Sequence, residues 1–173
     1  MILCSDRSIF LAVLMMCLPA LLPSAALSQD FGPWRALTAE EERARSGDTL
    51  SESADPSLIE GDFNGDGKSD KVLIAIRKAD GARQLIAVTR NPNNPVELGA
   101  AEPDDGLRLA EPGPWDTICG NAFREFHADL CASGYPRQIR LKNPGVLLVG
   151  SGQTSLFYWE AKKKRFDTVV LVD

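Results

Sequence analysis

The residues best placed to do chemistry in this chain fall between positions 61 and 70, Gly-Asp-Phe-Asn-Gly-Asp-Gly-Lys-Ser-Asp. Oxygen-bearing side chains alternate at Asp62, Asn64 and Asp66, the first, third and fifth places of a D-x-N-x-D-G-x-x-D loop, and this spacing folds them inward around one centre. Gly67 takes the sixth place, where the bend needs a conformation that side chains resist. The seventh place offers the backbone carbonyl of Lys68, whose ammonium can point away, and Asp70 at the ninth contributes directly or through water. All the donors are hard oxygens, with no thiol or imidazole, which selects Ca²⁺ over zinc or copper; a tight Mg²⁺ octahedron suits so flexible a loop less well. Three carboxylates held about 4 Å apart repel pairwise by roughly 1 kcal/mol even at the dielectric of water, and a divalent cation turns that repulsion into attraction. The spacing therefore predicts a calcium loop at 62–70 with Asp62, Asn64, Asp66, Lys68 and Asp70 as ligands; the alternative is a Gly- and Asx-rich turn that is merely acidic.

Cys119 and Cys131 form the second chemically notable set. The other two cysteines, Cys4 and Cys17, belong to an N-terminal segment laid out as a secretory signal peptide. Arg7 precedes an apolar run from Ser8 to Leu22 broken by Pro19, and Pro23-Ser24-Ala25-Ala26-Leu27-Ser28 supplies small residues of the A-x-A type, placing cleavage after Ser28. A spanning helix needs about 20 apolar residues, so an uncleaved anchor is the weaker alternative. An even pair of cysteines left in a chain bound for an oxidising compartment reads as a disulfide worth about 3 kcal/mol, against two buried thiols.

Weaker candidates remain. His127, the sole histidine, lies in Phe123–Asp129 between the two cysteines. It stands either as a general base oriented by Asp129 or Glu125 or, with fewer demands on the fold, as a surface or capping residue of a short helix. Asp104, Asp105 and Asp116 make a hydrolytic carboxylate pair only if the fold joins them, and otherwise are solvated loop acids. Lys162-Lys163-Lys164-Arg165 falls at a hairpin turn, where charge protects a sheet edge; its other use is as a patch for nucleic acid or an anionic surface. Along Phe157-Tyr158-Trp159, alternation sends one face to the core, and an outward Phe157 and Trp159 would stack on sugar rings or dock a partner. Trp34 and Trp115 fall in Pro-flanked loops.

The elements that must position these groups read as mainly β. Thr38-Ala39-Glu40-Glu41 is a capping box that opens a short helix running to Arg45. Strand character begins at Leu58, and Lys71–Arg77 and Gln84–Thr89 flank an Asp80-Gly81 turn. Asn91–Pro95 is a loop, and 99–117, with three prolines, looks irregular. Arg137–Leu141 and Val146–Val149 flank Asn143-Pro144-Gly145, and Ser155–Trp159 joins Phe166–Val172 through Ala161–Lys164. About six strands in consecutive hairpins predict a small antiparallel β domain with a short N-terminal helix and one calcium loop. No 20–50-residue repeat recurs, so a propeller of equal blades is not predicted.

Composition agrees. The 173 residues carry 19 Lys+Arg against 24 Asp+Glu, with 44% apolar and 25% charged residues, ordinary values for one globular domain. The predicted organisation is a signal peptide at 1–28 and a single exported β-rich domain at 29–173. A net charge of −5 argues against a phosphate-backbone binder, and one histidine argues against multi-His zinc sites and most His-dependent triads.

The stretch from Leu58 to Ile76 contains an apolar strand, Gly61-Asp62, Asn64-Gly65-Asp66-Gly67, Asp70 and then Val72-Leu73-Ile74-Ala75. It resembles the FG-GAP/VCBS repeats, the integrin-α-like calcium loops set between two β-strands. An EF-hand would place Glu where Leu73 stands, and a dockerin loop leads into a helix and comes in two copies. The resemblance implies the same five ligands around Ca²⁺; it concerns the loop and its strands, not propeller architecture. The whole chain is similar to small exported bacterial proteins with one such loop and a C-terminal Tyr-Trp strand before a basic turn, which implies no particular activity. The expectation is a periplasmic or extracellular calcium-binding module without enzymatic activity, its ion structural because external calcium nearly saturates such sites. A protein or glycan partner is expected, with no nucleic acid and no membrane span after cleavage. The rival is a hydrolase of envelope or extracellular polymers using Asp104, Asp105, Asp116 or His127.

Overall fold

The computed structural model describes residues 29–45, 55–120, 127–150 and 152–171. The expected signal peptide at 1–28 and residues 123–126 of the segment around His127 lie outside the described residues. The first half contains β1 (Asp30–Phe31), β2 (Trp34–Ala36), α1 (Ala39–Arg45), β3 (Leu58–Gly61), β4 (Asp70–Arg77), β5 (Arg83–Val88) and β6 (Val96–Ala100). The second contains β7 (Gly106–Ala110), β8 (Gly113–Asp116), α2 (Ala128–Ala132), β9 (Gln138–Leu141), β10 (Gly145–Gly150), β11 (Gln153–Glu160) and β12 (Arg165–Val170).

β4 organises the first sheet. Its apolar run Val72–Ile76 is buried throughout, as expected of a strand covered on both faces. One edge pairs antiparallel with β5, and β5 with β6. The other edge is shared end to end: β2 lies opposite Ala75–Arg77 and β3 opposite Asp70–Leu73. The second sheet runs β12-β11-β10-β7, and β8 and β9 form a separate two-stranded ribbon. Val72, Ile74, Leu85 and Ala87 of the first sheet pack with Leu107, Val146, Leu148 and Phe157 of the second, forming the main core. Phe31, Trp34, Leu73 and Ile86 make a smaller cluster on the outer face of the first sheet. Ala110, Leu141, Leu156 and Val169 pack with Trp115 and Ile139 of the ribbon.

The mainly β, antiparallel expectation holds, and so do the hairpins β4–β5 and β11–β12. The capping box forms as expected: the Glu41 N–H donates to Thr38 Oγ1 at 3.2 Å, and the Thr38 N–H donates to Glu41 Oε2 at 2.8 Å. Arg35 adds a two-pronged contact to Glu41 at 2.6 and 2.7 Å. These donors, Arg35 first, hold the Glu41 carboxyl at about 2.

Three expectations are corrected. Residues 99–117 are not irregular throughout, since β7 and β8 lie there, and Trp34 and Trp115 are strand residues, not loop residues. Asn143-Pro144-Gly145 does not join a hairpin. Both edges of β10 are occupied by β7 and β11, so β9 crosses to the ribbon and pairs with β8. The strands are accordingly more numerous and less consecutive in pairing than six hairpin partners.

Candidate metal centre

The loop 62–69 closes the β3–β4 hairpin, with Gly61 and Asp70 facing each other at its mouth. It is pinned from beneath by Phe63, fully buried in the main core between the sheets. Gly65 and Gly67 take φ of 75° and 80°, the left-handed bends that the sequence assigned to Gly67. The amides of the bend point inward onto the acidic side chains. Asp62 Oδ1 accepts the N–H groups of Gly65 (2.8 Å) and Asp66 (3.0 Å), and its Oδ2 accepts that of Gly67 (2.8 Å). Asn64 Oδ1 accepts the Asp66 N–H at 2.9 Å, and Asp66 Oδ1 accepts the Lys68 N–H at 3.0 Å.

Asp70 is the buried member. It is 0% exposed; its Oδ2 accepts the N–H groups of Phe63 (3.1 Å) and Asn64 (3.2 Å), and Asn64 Nδ2 donates to its Oδ1 at 3.1 Å. Burial pushes its carboxyl above the usual aspartate value, the charges of Asp66 and Asp62 push the same way, and the two backbone N–H bonds pull against them. Among the described residues the cation paired with the loop is Arg90, whose Nε lies 3.7 Å from Asp66 Oδ2 on a side chain 80% exposed.

Asp62, Asn64, Asp66 and Asp70 are thus brought into one hydrogen-bonded loop, with Lys68 exposed on its rim. Among the described residues no three His, Cys, Asp or Glu side chains are set together to hold a metal. Asp62 and Asp70 are turned onto backbone N–H groups. A carboxylate offers about four lone-pair positions, so the three N–H groups on Asp62 and the single one on Asp66 leave room for a further partner. The donor chemistry, oxygen throughout and anionic in balance, fits a hard divalent cation.

Three neighbours of the loop were missed. Phe63 carried a signal, as the one large apolar residue in a polar run. Arg90 and Asn143 carried none, because only tertiary folding brings them there. A side chain at Gly65 would place its Cβ 2.5 Å from Asn143 Nδ2, so the loop lies against the β9–β10 connection.

The other candidates separate. Cys119 and Cys131 are joined, with Cα atoms 5.5 Å apart. His127 occupies the N-cap position of α2 and makes no side-chain capping bond. Asp105 is buried and its carboxylate accepts the Glu102 N–H at 2.8 Å, closing its own turn. Asp116 accepts from Gln138 Nε2 at 2.8 Å on the ribbon, and Asp104 is exposed. The outward Phe157/Trp159 pair is not found: Phe157 is buried in the main core and Trp159 meets Phe166 edge-on at 5.4 Å. Lys162–Lys164 lie in the β11–β12 turn, as the charge run suggested. No described helix is long and apolar enough to cross a membrane. No protein-family model matches the chain, and neither a curated protein nor a solved structure shows significant similarity to it.

Proposed function

We propose that the protein is an exported calcium-binding β module in which the ion bridges the oxygens of loop 62–70 and closes the β3–β4 hairpin. What carries this proposal is a fixed bend whose side-chain donors are oxygens throughout, with Asp70 buried on the Phe63 and Asn64 N–H groups and Asp66 meeting an exposed arginine only at 3.7 Å. The chain supplies the bend, the oxygens and the Phe63 anchor, but little countercharge. Asp62, Asn64, Asp66 and Asp70 would hold the ion by side chain and Lys68 by its carbonyl, in keeping with the FG-GAP/VCBS-like pattern of the sequence. The leader-like residues 1–28 support export to a compartment where calcium is plentiful. The ion's part is structural: it stabilises the folded state by RT ln(1 + [L]/Kd), and the module acts by binding a partner.

The test is a pair of thermal melts, in calcium and in excess chelator. The wild-type melting temperature is expected to fall on chelation and that of Asp66→Ala to stay put. A wild-type melt indifferent to chelator contradicts the proposal.

A further inference from the structure

Beside the loop, and sharing Asn64 and Asp66 with it, lies a cleft of about 540 Å³. That is within the size range of small-ligand sites. One wall carries Asn64, Asp66 and Arg90; the other carries Trp159, Phe166 and the basic end of the β11–β12 turn, Lys164 and Arg165. The turn holds Lys164 at φ 52°, a left-handed conformation uncommon for a residue with a side chain. Arg90 and Arg165 are 80% and 66% exposed and only loosely paired, at 3.7 Å from Asp66 and 3.4 Å from Asp167. Trp159 also lines a second cleft, with Arg140, Lys142, Lys162, Lys163 and one acid, Glu160. Seven of the chain's 19 Lys and Arg residues thus line the two clefts that share one half-buried indole.

We propose that this cleft binds an acidic saccharide, its ring against Trp159, its acid group between Arg90 and Arg165, and its hydroxyls donating to Asp66 and Asn64. The mixed wall decides the class. Cations alone would suit any anion, but Asp66 in the same cleft repels one that brings no hydrogen-bond donor. A sugar acid carries ring, carboxylate and hydroxyls together. A DNA strand offers phosphates to the arginines, but its sugars carry no hydroxyl inside the chain, and the net charge of −5 opposes a long polyanion. The inference rests on the binding role proposed above; its contacts need no metal, although two of them, Asp66 and Asn64, are also ligands proposed for the ion.

The test titrates the full chain with a galacturonic acid trimer, a neutral galactose trimer and a thymidine hexanucleotide, followed by tryptophan fluorescence and calorimetry. The acidic trimer is expected to bind at least tenfold more tightly than either of the others. The double variant Arg90→Ala/Arg165→Ala, altered only at exposed positions, should weaken that binding tenfold or more while keeping the wild-type melting temperature. Trp159→Phe should remove the fluorescence change. Calcium is expected to weaken this binding, because the ion proposed above takes the Asp66 and Asn64 oxygens; the affinity in chelator therefore tests the cleft apart from the loop. No heat with the acidic trimer, equal binding of the neutral one, tighter binding of the hexanucleotide or an unaffected double variant would each overturn the proposal.

Discussion

Strand β4 carries a turn at each end, and both are built from aspartate and glycine. At its C-terminal end, the turn to β5 closes with the Arg77 N–H donating to the Ala82 carbonyl and the Gly81 N–H to the Arg77 carbonyl, each at 2.8 Å. Asp80 accepts the Ala82 N–H at 3.1 Å and meets Arg77 Nη1 at 3.0 Å. Those two partners, the N–H first, hold the Asp80 carboxyl below its ordinary value. At the N-terminal end, Asp70 is pushed the other way by burial and by two neighbouring acids. The same residue types therefore serve opposite purposes. One turn meets its aspartate with an arginine of the same turn; the other holds its acids around a fixed bend, where the proposed ion would supply the countercharge.

The largest expected effect tests the buried end of that contrast. Asp70→Ala removes the acceptor for Phe63 and Asn64 and leaves their N–H groups without it, costing about 2–4 kcal/mol in a urea titration in chelator, and more in calcium because a ligand of the ion is lost as well. Next comes the ion itself: at calcium a hundredfold above Kd the wild type should gain about 2.7 kcal/mol and Asp66→Ala nothing. The glycines divide the two turns more finely. Gly67 and Gly81 have φ of 80° and 75° with open space where a Cβ would stand, so alanine at either costs about 1–2 kcal/mol in chelator. Only Gly67→Ala should also weaken calcium binding, read by calorimetry.

Acid titration gives the smallest effects. Glu41 sits at about 2 instead of 4.5, so its contribution is present above 4.5 and disappears as pH falls from there towards 2; Glu41→Gln should flatten stability over that window. Asp80, also lowered, contributes above 3.8 and loses that contribution in more acid solution. Asp80→Asn should change this acid limb slightly and leave the calcium response intact.

The loop's donors were legible because their chemistry is local: alternating oxygens and a glycine specify a bend before any partner is known. β4, β5 and β11 were legible for a similar reason, since residues such as Val72–Ile76 form runs too apolar for anything but buried strand. β1 and β2 escaped because two or three residues around Gly32-Pro33 carry no period, although they bury Phe31 and Trp34. β8 escaped because Gly113 and Pro114 read as loop, and the ribbon forms only when β9 arrives from a distant part of the chain. The β9–β10 error has the same origin: Asn143-Pro144-Gly145 is turn-like locally, but pairing was decided by β7 and β11. The cleft between Arg90 and Arg165 was likewise invisible, because Arg90 follows β5 of the first sheet and Arg165 opens β12 of the second.

The most direct measurement is amide NMR of chelator-stripped protein titrated with calcium to roughly millimolar concentrations, where extracellular sites saturate. The account predicts one saturable event that shifts Gly65, Asp66, Gly67 and Lys68, whose N–H groups lie on the acidic side chains, and leaves Gly81 and Ala82 unmoved. Spectra that do not change, or that change at the β4–β5 turn instead of the 62–70 loop, would contradict it.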